Sequence, residues 1–238
     1  MPKHIFFDLD KTLTKSRSPM EPAHQELFEK LCGGKDVVVV TGGSAEQIRE
    51  QVTSRFDGKY YVLAQSGNDA RTKNGAPLWI EELSTKQTAA IKAFVSLLRR
   101  EDFHGYPLEE ENRGAQLTAS VTGFHADINE KYAFDPDDKK RQAALARHDA
   151  DVRKLRELGI SVEPAGTTSF NFILDGKHKG YNILRLLEHE GWKKEDCLYV
   201  GDALFTGGND ATVIGVIPTQ AVKDPSDAFH FVETSLLS

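Results

Sequence analysis

Three short apolar runs each stop abruptly at a polar or glycine residue: residues 5–7 before Asp8, 37–40 before Thr41, and 198–200 before Gly201 and Asp202. Runs of this length that do not alternate, with helical spacing between them, predict central strands of a parallel sheet covered on both faces. Residues 22–31 predict a crossover helix with Pro22 in its first turn, and 44–52 predict a second, opened by the polar turn 41–44. Residues 60–64 predict a further strand, and 69–78 a hairpin in which Asn74-Gly75 supplies a left-handed turn.

The texture changes at Ser84. Ser84 and Gln87 form a capping box, and Ile91, Phe94, Val95 and Leu98 follow at helical spacing to about Arg100. Residues 115–122 alternate like an antiparallel strand, 137–158 predict one long charged helix stopped by Gly159, and 160–163 and 170–174 predict two more strands. The charge run 137–141 reads as a solvated helix start, and Phe124, Tyr132, Phe134 and Phe170 as apolar filling. The fold class expected is therefore α/β: a Rossmann-like parallel-sheet core at 1–82 and 178–238, with an α+β cap module inserted at 83–177.

Composition narrows the partners. The chain has 238 residues and a formal net charge of -6, which argues against nucleic acid or an anionic membrane surface. Neither a span-length apolar run nor a leader-like start is present, so a cytoplasmic protein is expected, with Cys32 and Cys197 as reduced, ordinary small residues.

In open α/β sheets ligands bind beyond the carboxyl ends of the strands, where the three polar clusters fall. Asp8 and Asp10 leave the first strand two residues apart. One carboxylate of such a pair attacks phosphorus while the other donates a proton to the leaving alcohol and later activates water. A helix cap or a metal-binding loop are the plainer readings of the same pair. Because a carboxylate nucleophile and a phosphate dianion repel, the chemistry calls for a hard divalent cation such as Mg2+, and Asp202 stands at another strand end to help hold it; Asp210 and Asn209 are candidates to hold that loop or a metal-bound water, a simple turn being the plainer reading of 207–210. Thr41 offers a hydroxyl and turn amides to a phosphoryl oxygen; Ser44 is a second candidate or simply an N-cap. Lys179 opens a helix, and its ammonium would offset the site's negative charge unless it is surface decoration.

Taken together, the Asp8-x-Asp10 string, Thr41, Lys179 and the Gly201-Asp202 cluster resemble the four motifs of the haloacid dehalogenase-like superfamily. More narrowly, residues 8–17, 40–44, 111–123, 169–172 and 201–210 resemble the eukaryotic-type phosphomannomutases of its subfamily IIB. The resemblance implies Asp8 as nucleophile, Asp10 as acid/base, Thr41 and Lys179 as further catalytic residues, and Asp8, Asp10 and Asp202 as the metal set, to which the loop position of Asp210 adds a fourth candidate. It also implies Arg17, Arg113 and Ser169 as substrate contacts, joined by Ser44 from its place after Thr41 and by Lys131 and Asn171 at positions where the family has other residues, and either a monomer or a homodimer through the cap.

The departures bear on activity. Lys11 stands where the first motif has glycine, Phe124 and Lys131 where the mutases carry arginines, and Asn171 where they carry aspartate. Lysine lacks the bidentate fork of arginine, which weakens a second phosphate clamp. The expected activity is hydrolysis of a small phosphorylated metabolite, a sugar phosphate; phosphomannomutase activity is the alternative, and a non-catalytic binding protein the third reading.

Overall fold

Alternate side chains of the apolar runs go to opposite faces of a single sheet, which is why the runs themselves do not alternate. The computed structural model describes residues 1–206 and 208–237, Ile128 by its backbone alone. In chain order the elements are β1 (His4–Asp8), α1 (Pro22–Gly34), β2 (Asp36–Val40), α2 (Ala45–Val52), β3 (Tyr61–Ala64), β4 (Asp69–Arg71), β5 (Pro77–Ile80) and α3 (Thr85–Glu101). They continue with β6 (Glu109–Asn112), β7 (Gln116–Ser120), α4 (Ile128–Phe134), α5 (Lys139–Arg147), α6 (Asp149–Glu157), β8 (Ile160–Ala165) and β9 (Ser169–Leu174). The last are α7 (Lys179–Glu190), β10 (Cys197–Gly201), β11 (Thr219–Ala221) and α8 (Pro225–Phe231).

The chain forms two compact units, Met1–Ile80 with Lys177–Ser238, and Glu81–Gly176. The first holds a seven-stranded sheet in the order β11-β10-β1-β2-β3-β4-β5, parallel from β11 to β3 and antiparallel beyond. Ile5, Phe7, Val37, Val39 and Val200 pack on one face with Phe28 and Leu31 of α1 and Phe229 of α8. Phe6, Val38, Val40 and Tyr199 pack on the other with Ile183, Leu186 and Leu187 of α7. The hairpin turn needs one left-handed residue, Gly75 at φ 82°, rather than the Asn-Gly pair.

Both junctions with the inserted unit are fastened to one tight turn. Trp79 Nε1 donates to Gly67 O at 2.8 Å, Asn68 Nδ2 donates to Lys177 O at 3.0 Å, and buried Asn182 donates to Ser66 O at 2.9 Å. Gly67 has φ 88°, and a Cβ there would lie 2.4 Å from Asn182 Cβ, so only glycine passes.

The second unit is an antiparallel sheet, β6-β7-β9-β8, with helices on one face. Leu117, Ala119, Phe170 and Phe172 join Ile91, Phe94, Val95 and Leu98 of α3 in its core. The capping box of α3 forms as its spacing predicts: Gln87 N donates to Ser84 Oγ at 3.3 Å and Ser84 N to Gln87 Oε1 at 2.9 Å.

Three readings need correction here. The long charged helix is two helices broken at His148, whose Nε2 lies 2.7 Å from Asp102 Oδ2 while Arg147 pairs with the other oxygen at 2.7 Å. That tie to the end of α3 outweighs local helix propensity. The charge run 137–141 does start α5, yet Arg141 is wholly buried rather than solvated. It binds Asp135 at 2.9 Å, Asp138, and the carbonyls of Ala165, Ser169, Gly166 and Asp135. Phe134 and Phe170 fill the core as expected, but Tyr132 is 62% exposed.

Candidate active site

Strand register gathers the polar clusters. Asp8 pairs with Val40 and Phe7 with Val200, so Asp8, Thr41 and the Gly201–Asp202 step leave the sheet at one level. Lys179 reaches the same place from the first residue of α7, whose N-cap His178 accepts from Tyr181 N at 3.2 Å. Its buried ammonium donates to Asp8 Oδ1 at 2.6 Å and Asp210 Oδ1 at 2.7 Å, with Tyr199 Oη at 3.4 Å. Tyr199 in turn donates to Asp210 Oδ1 at 2.6 Å, and Ala203 N donates to Asp210 Oδ2 at 3.3 Å. Gly201 makes room for this: a Cβ there would lie 2.4 Å from Asp210 Oδ2.

Asp8, Asp202 and Asp210 each offer a carboxylate oxygen, all within 4.8 Å of one another. Three carboxylates against one ammonium leave the cluster formally two charges negative. Burial, with Asp210 and Asp202 adding to it, outweighs the attraction of Lys179 and pushes the Asp8 carboxyl up to about 7. Burial and then Asp210 also raise Asp202, with Lys11 and Lys179 pulling against them. Burial tends to lower Lys179, but Asp8 and Asp210 more than reverse this, so it is held as a cation. Burial raises the phenol of Tyr199 well above its ordinary value, keeping it a hydrogen-bond donor. Hard oxygens, burial and uncompensated negative charge are what a small divalent cation requires, so the donor set fits one.

Asp10 stands outside that carboxylate group. Its Oδ1 accepts from Arg17 N at 2.9 Å and Gln51 Nε2 at 3.3 Å, and its Oδ2 from Gln47 Nε2 at 3.1 Å. Gln47, Gln51 and Tyr199 join the site beyond the residues the sequence singles out. Two glutamines four apart on a helix that opens beside Thr41 share a face, and that was the available signal. Thr41 is buried, and its Oγ1 accepts from Gly43 N at 3.1 Å. Ser44 is the N-cap of α2, its Oγ accepting from Gln47 N at 3.2 Å. Of the Gly-rich loop after Asp202, Gly207 lies outside the described residues.

Residues 2–207 match the family of haloacid dehalogenase-like hydrolases. The chain belongs to that family. Phosphomannomutase 2 of Dictyostelium discoideum is 26% identical over 231 residues, covering 93% of this chain and 91% of its own. The phosphomannomutase of Saccharomyces cerevisiae is 27% identical over 238 residues, covering 94% and 90%. A haloacid dehalogenase-like hydrolase from Bacteroides thetaiotaomicron has the same fold, with a TM-score of 0.68 at 14% identity over 98% of this chain and 99% of that one. An IMP-bound IMP-nucleotidase mutant of Plasmodium falciparum superposes at a TM-score of 0.69 and 13% identity over 99% of this chain, which spans 66% of the nucleotidase.

This haloacid dehalogenase-like hydrolase is thus an enzyme of the phosphatase and phosphomannomutase-like kind, which sets the non-catalytic reading aside. Among its described residues no helix is long and apolar enough to cross a membrane. Its remaining candidates divide between the units. Arg17 is exposed in the first at φ 52°. Arg113, Lys131, Ser169 and Asn171 lie in the second. Arg113 pairs with Glu111 at 2.6 Å, and Lys131 Nζ donates to Phe124 O at 2.5 Å. Asn171 Oδ1 accepts from Thr118 Oγ1 at 3.0 Å, and Thr118 accepts from Gln116 Nε2 at 2.9 Å. Ser169 gives its carbonyl to Arg141 at 2.8 Å.

Proposed function

We propose that this hydrolase releases phosphate from a small phosphorylated metabolite of the sugar-phosphate class, by way of an acyl phosphate on Asp8 and with magnesium as cofactor. The observation that carries the reading is the buried ammonium of Lys179, which fixes Asp8 at 2.6 Å amid carboxylates whose charge it only partly cancels.

Asp8 and Asp202 would hold the magnesium, with Asp210 beside them securing Lys179 and the loop. When bound, magnesium screens the phosphate dianion from the attacking carboxylate. The Asp8 oxygen forms a bond to phosphorus as the bond from phosphorus to the ester oxygen breaks, and Asp10 gives its proton to the departing alcohol. Asp10 then takes a proton from water; the water oxygen bonds to phosphorus, the acyl phosphate bond breaks, and inorganic phosphate leaves with Asp8 restored. Lys179 offsets charge on the nucleophile throughout. Thr41 would bind a phosphoryl oxygen through its hydroxyl, whose oxygen accepts from Gly43 N. Asp10 takes the proton-transfer role, its carboxylate standing outside the group of Asp8, Asp202 and Asp210 and oriented by Arg17 N, Gln47 and Gln51.

Substrate contacts from Arg17, Ser44, Arg113, Lys131, Ser169 and Asn171 belong to the same proposal, as does a monomer or cap-mediated homodimer. A second reading, phosphomannomutase, is favoured by the names of the curated relatives. Hydrolysis is preferred because Lys131 offers a single point charge that already serves the Phe124 carbonyl, and Arg113 is already paired with Glu111. The deciding experiment supplies mannose 1-phosphate, magnesium and a hexose bisphosphate and follows mannose 6-phosphate and free phosphate together. Free phosphate alone, abolished by a chelator, supports the phosphatase; mannose 6-phosphate overturns it in favour of the mutase.

A further inference from the structure

A side chain with a Cβ is strained in the left-handed backbone region, and Lys11 occupies it at φ 62° in the turn directly after Asp10. The turn itself is well held: Lys11 N donates to Thr14 O at 2.7 Å, and Thr12 Oγ1 reaches Asp202 Oδ1 at 3.5 Å. Glycine would make the same turn with less strain, so the turn does not account for a lysine. Nor does pairing. Lys15, four residues on, is bound to Glu21 at 2.7 Å, and Lys179 is saturated by Asp8, Asp210 and Tyr199. The exposed Lys11 ammonium makes no hydrogen bond or close ion pair among the described residues, yet lies within electrostatic reach of Asp202.

An unspent cation on a strained residue, one position from the acid/base and braced against a cluster with surplus negative charge, has a use that neither fold nor turn supplies. We infer that Lys11 is a substrate-binding cation at the rim of the site, capturing the phosphate oxyanions of the incoming ester before and during turnover. This rests on the phosphatase reading for its substrate class, and on geometry for its place. Because the ammonium is exposed and on a flexible stem, it acts on affinity and capture rather than on the chemical step.

The test titrates inorganic phosphate calorimetrically into magnesium-loaded wild type, Lys11→Gly and Lys11→Arg, and measures kcat and KM for p-nitrophenyl phosphate across a salt series. Lys11→Gly is expected to weaken phosphate binding and raise KM by roughly fivefold, with kcat within about twofold and a shallower salt dependence. It should keep or raise the thermal midpoint, because glycine relieves the strained turn; Lys11→Arg should recover the affinity. Unchanged phosphate affinity in Lys11→Gly overturns the inference, whatever happens to kcat or the midpoint, as does the absence of phosphate binding in the wild type. Should the wild type turn over no monoester while phosphate binding still depends on Lys11, the phosphatase reading fails and the capture role stands.

Discussion

Lys179 and Arg141 are both buried cations, one in each unit, and their surroundings differ in kind. Arg141 is matched: two carboxylates and four backbone carbonyls take up its donors, tying the start of α5 to the β8–β9 hairpin. Lys179 is outnumbered, with Asp8 and Asp210 on it and Asp202 close behind. A buried charge that is fully satisfied holds a fold together, whereas a buried cluster left with surplus charge is waiting for a ligand. Burial alone does not separate the two cases; the balance of charge does.

The largest effect that sharpens this contrast belongs to the outnumbered cluster. Asp8→Asn removes the proposed nucleophile and should lower phosphate release by about a thousandfold or more, with the protein still folded by circular dichroism. Substantial residual turnover would place the attacking group elsewhere. Arg141→Met probes the matched cation: stranding Asp135 and four carbonyls should destabilise the protein by about 3–5 kcal/mol in urea unfolding. A loss below about 1 kcal/mol would show that water replaces those bonds.

Between the extremes lie Gln47 and Gln51, which orient Asp10. Replacing both with leucine should reduce kcat by roughly ten- to a hundredfold while KM changes little, since orientation matters to proton transfer more than to binding. A change confined to KM would reassign Asp10 to substrate binding. The smallest effect concerns pH. With its carboxyl pushed up to about 7, Asp8 carries a proton at lower pH that a metal must displace. Magnesium affinity should therefore fall as pH drops below about 7, by at most about tenfold per unit, and level off above it; an affinity flat from pH 5 to 8 would contradict the electrostatic account.

Legibility followed the same division. The apolar runs before Asp8, Thr41 and Asp202 could be read as central strands because burial on both faces leaves a continuous signal, and polar residues at strand ends mark the ligand edge whatever the intervening helices do. Arg141 could not be read, since three of the groups that hold it are backbone carbonyls of Ala165, Gly166 and Ser169, and nothing in a charged string says which member turns inward. Tyr199 looked like one more apolar strand residue; its hydroxyl matters only because Asp210 folds back upon it. The edge strand Glu109–Asn112 has no strand propensity of its own and forms by pairing with β7. The break at His148 is likewise a tertiary effect, made by Asp102 at the far end of another helix.

The turn at 65–68 has a practical consequence for engineering. Trp79 and Lys177, just inside the two points where the chain crosses to the inserted unit, are both fastened to it. The seven-stranded sheet thus keeps its own clasp at the splice, and a short linker joining Ile80 to Lys177 should yield a free-standing chassis onto which other inserts can be grafted.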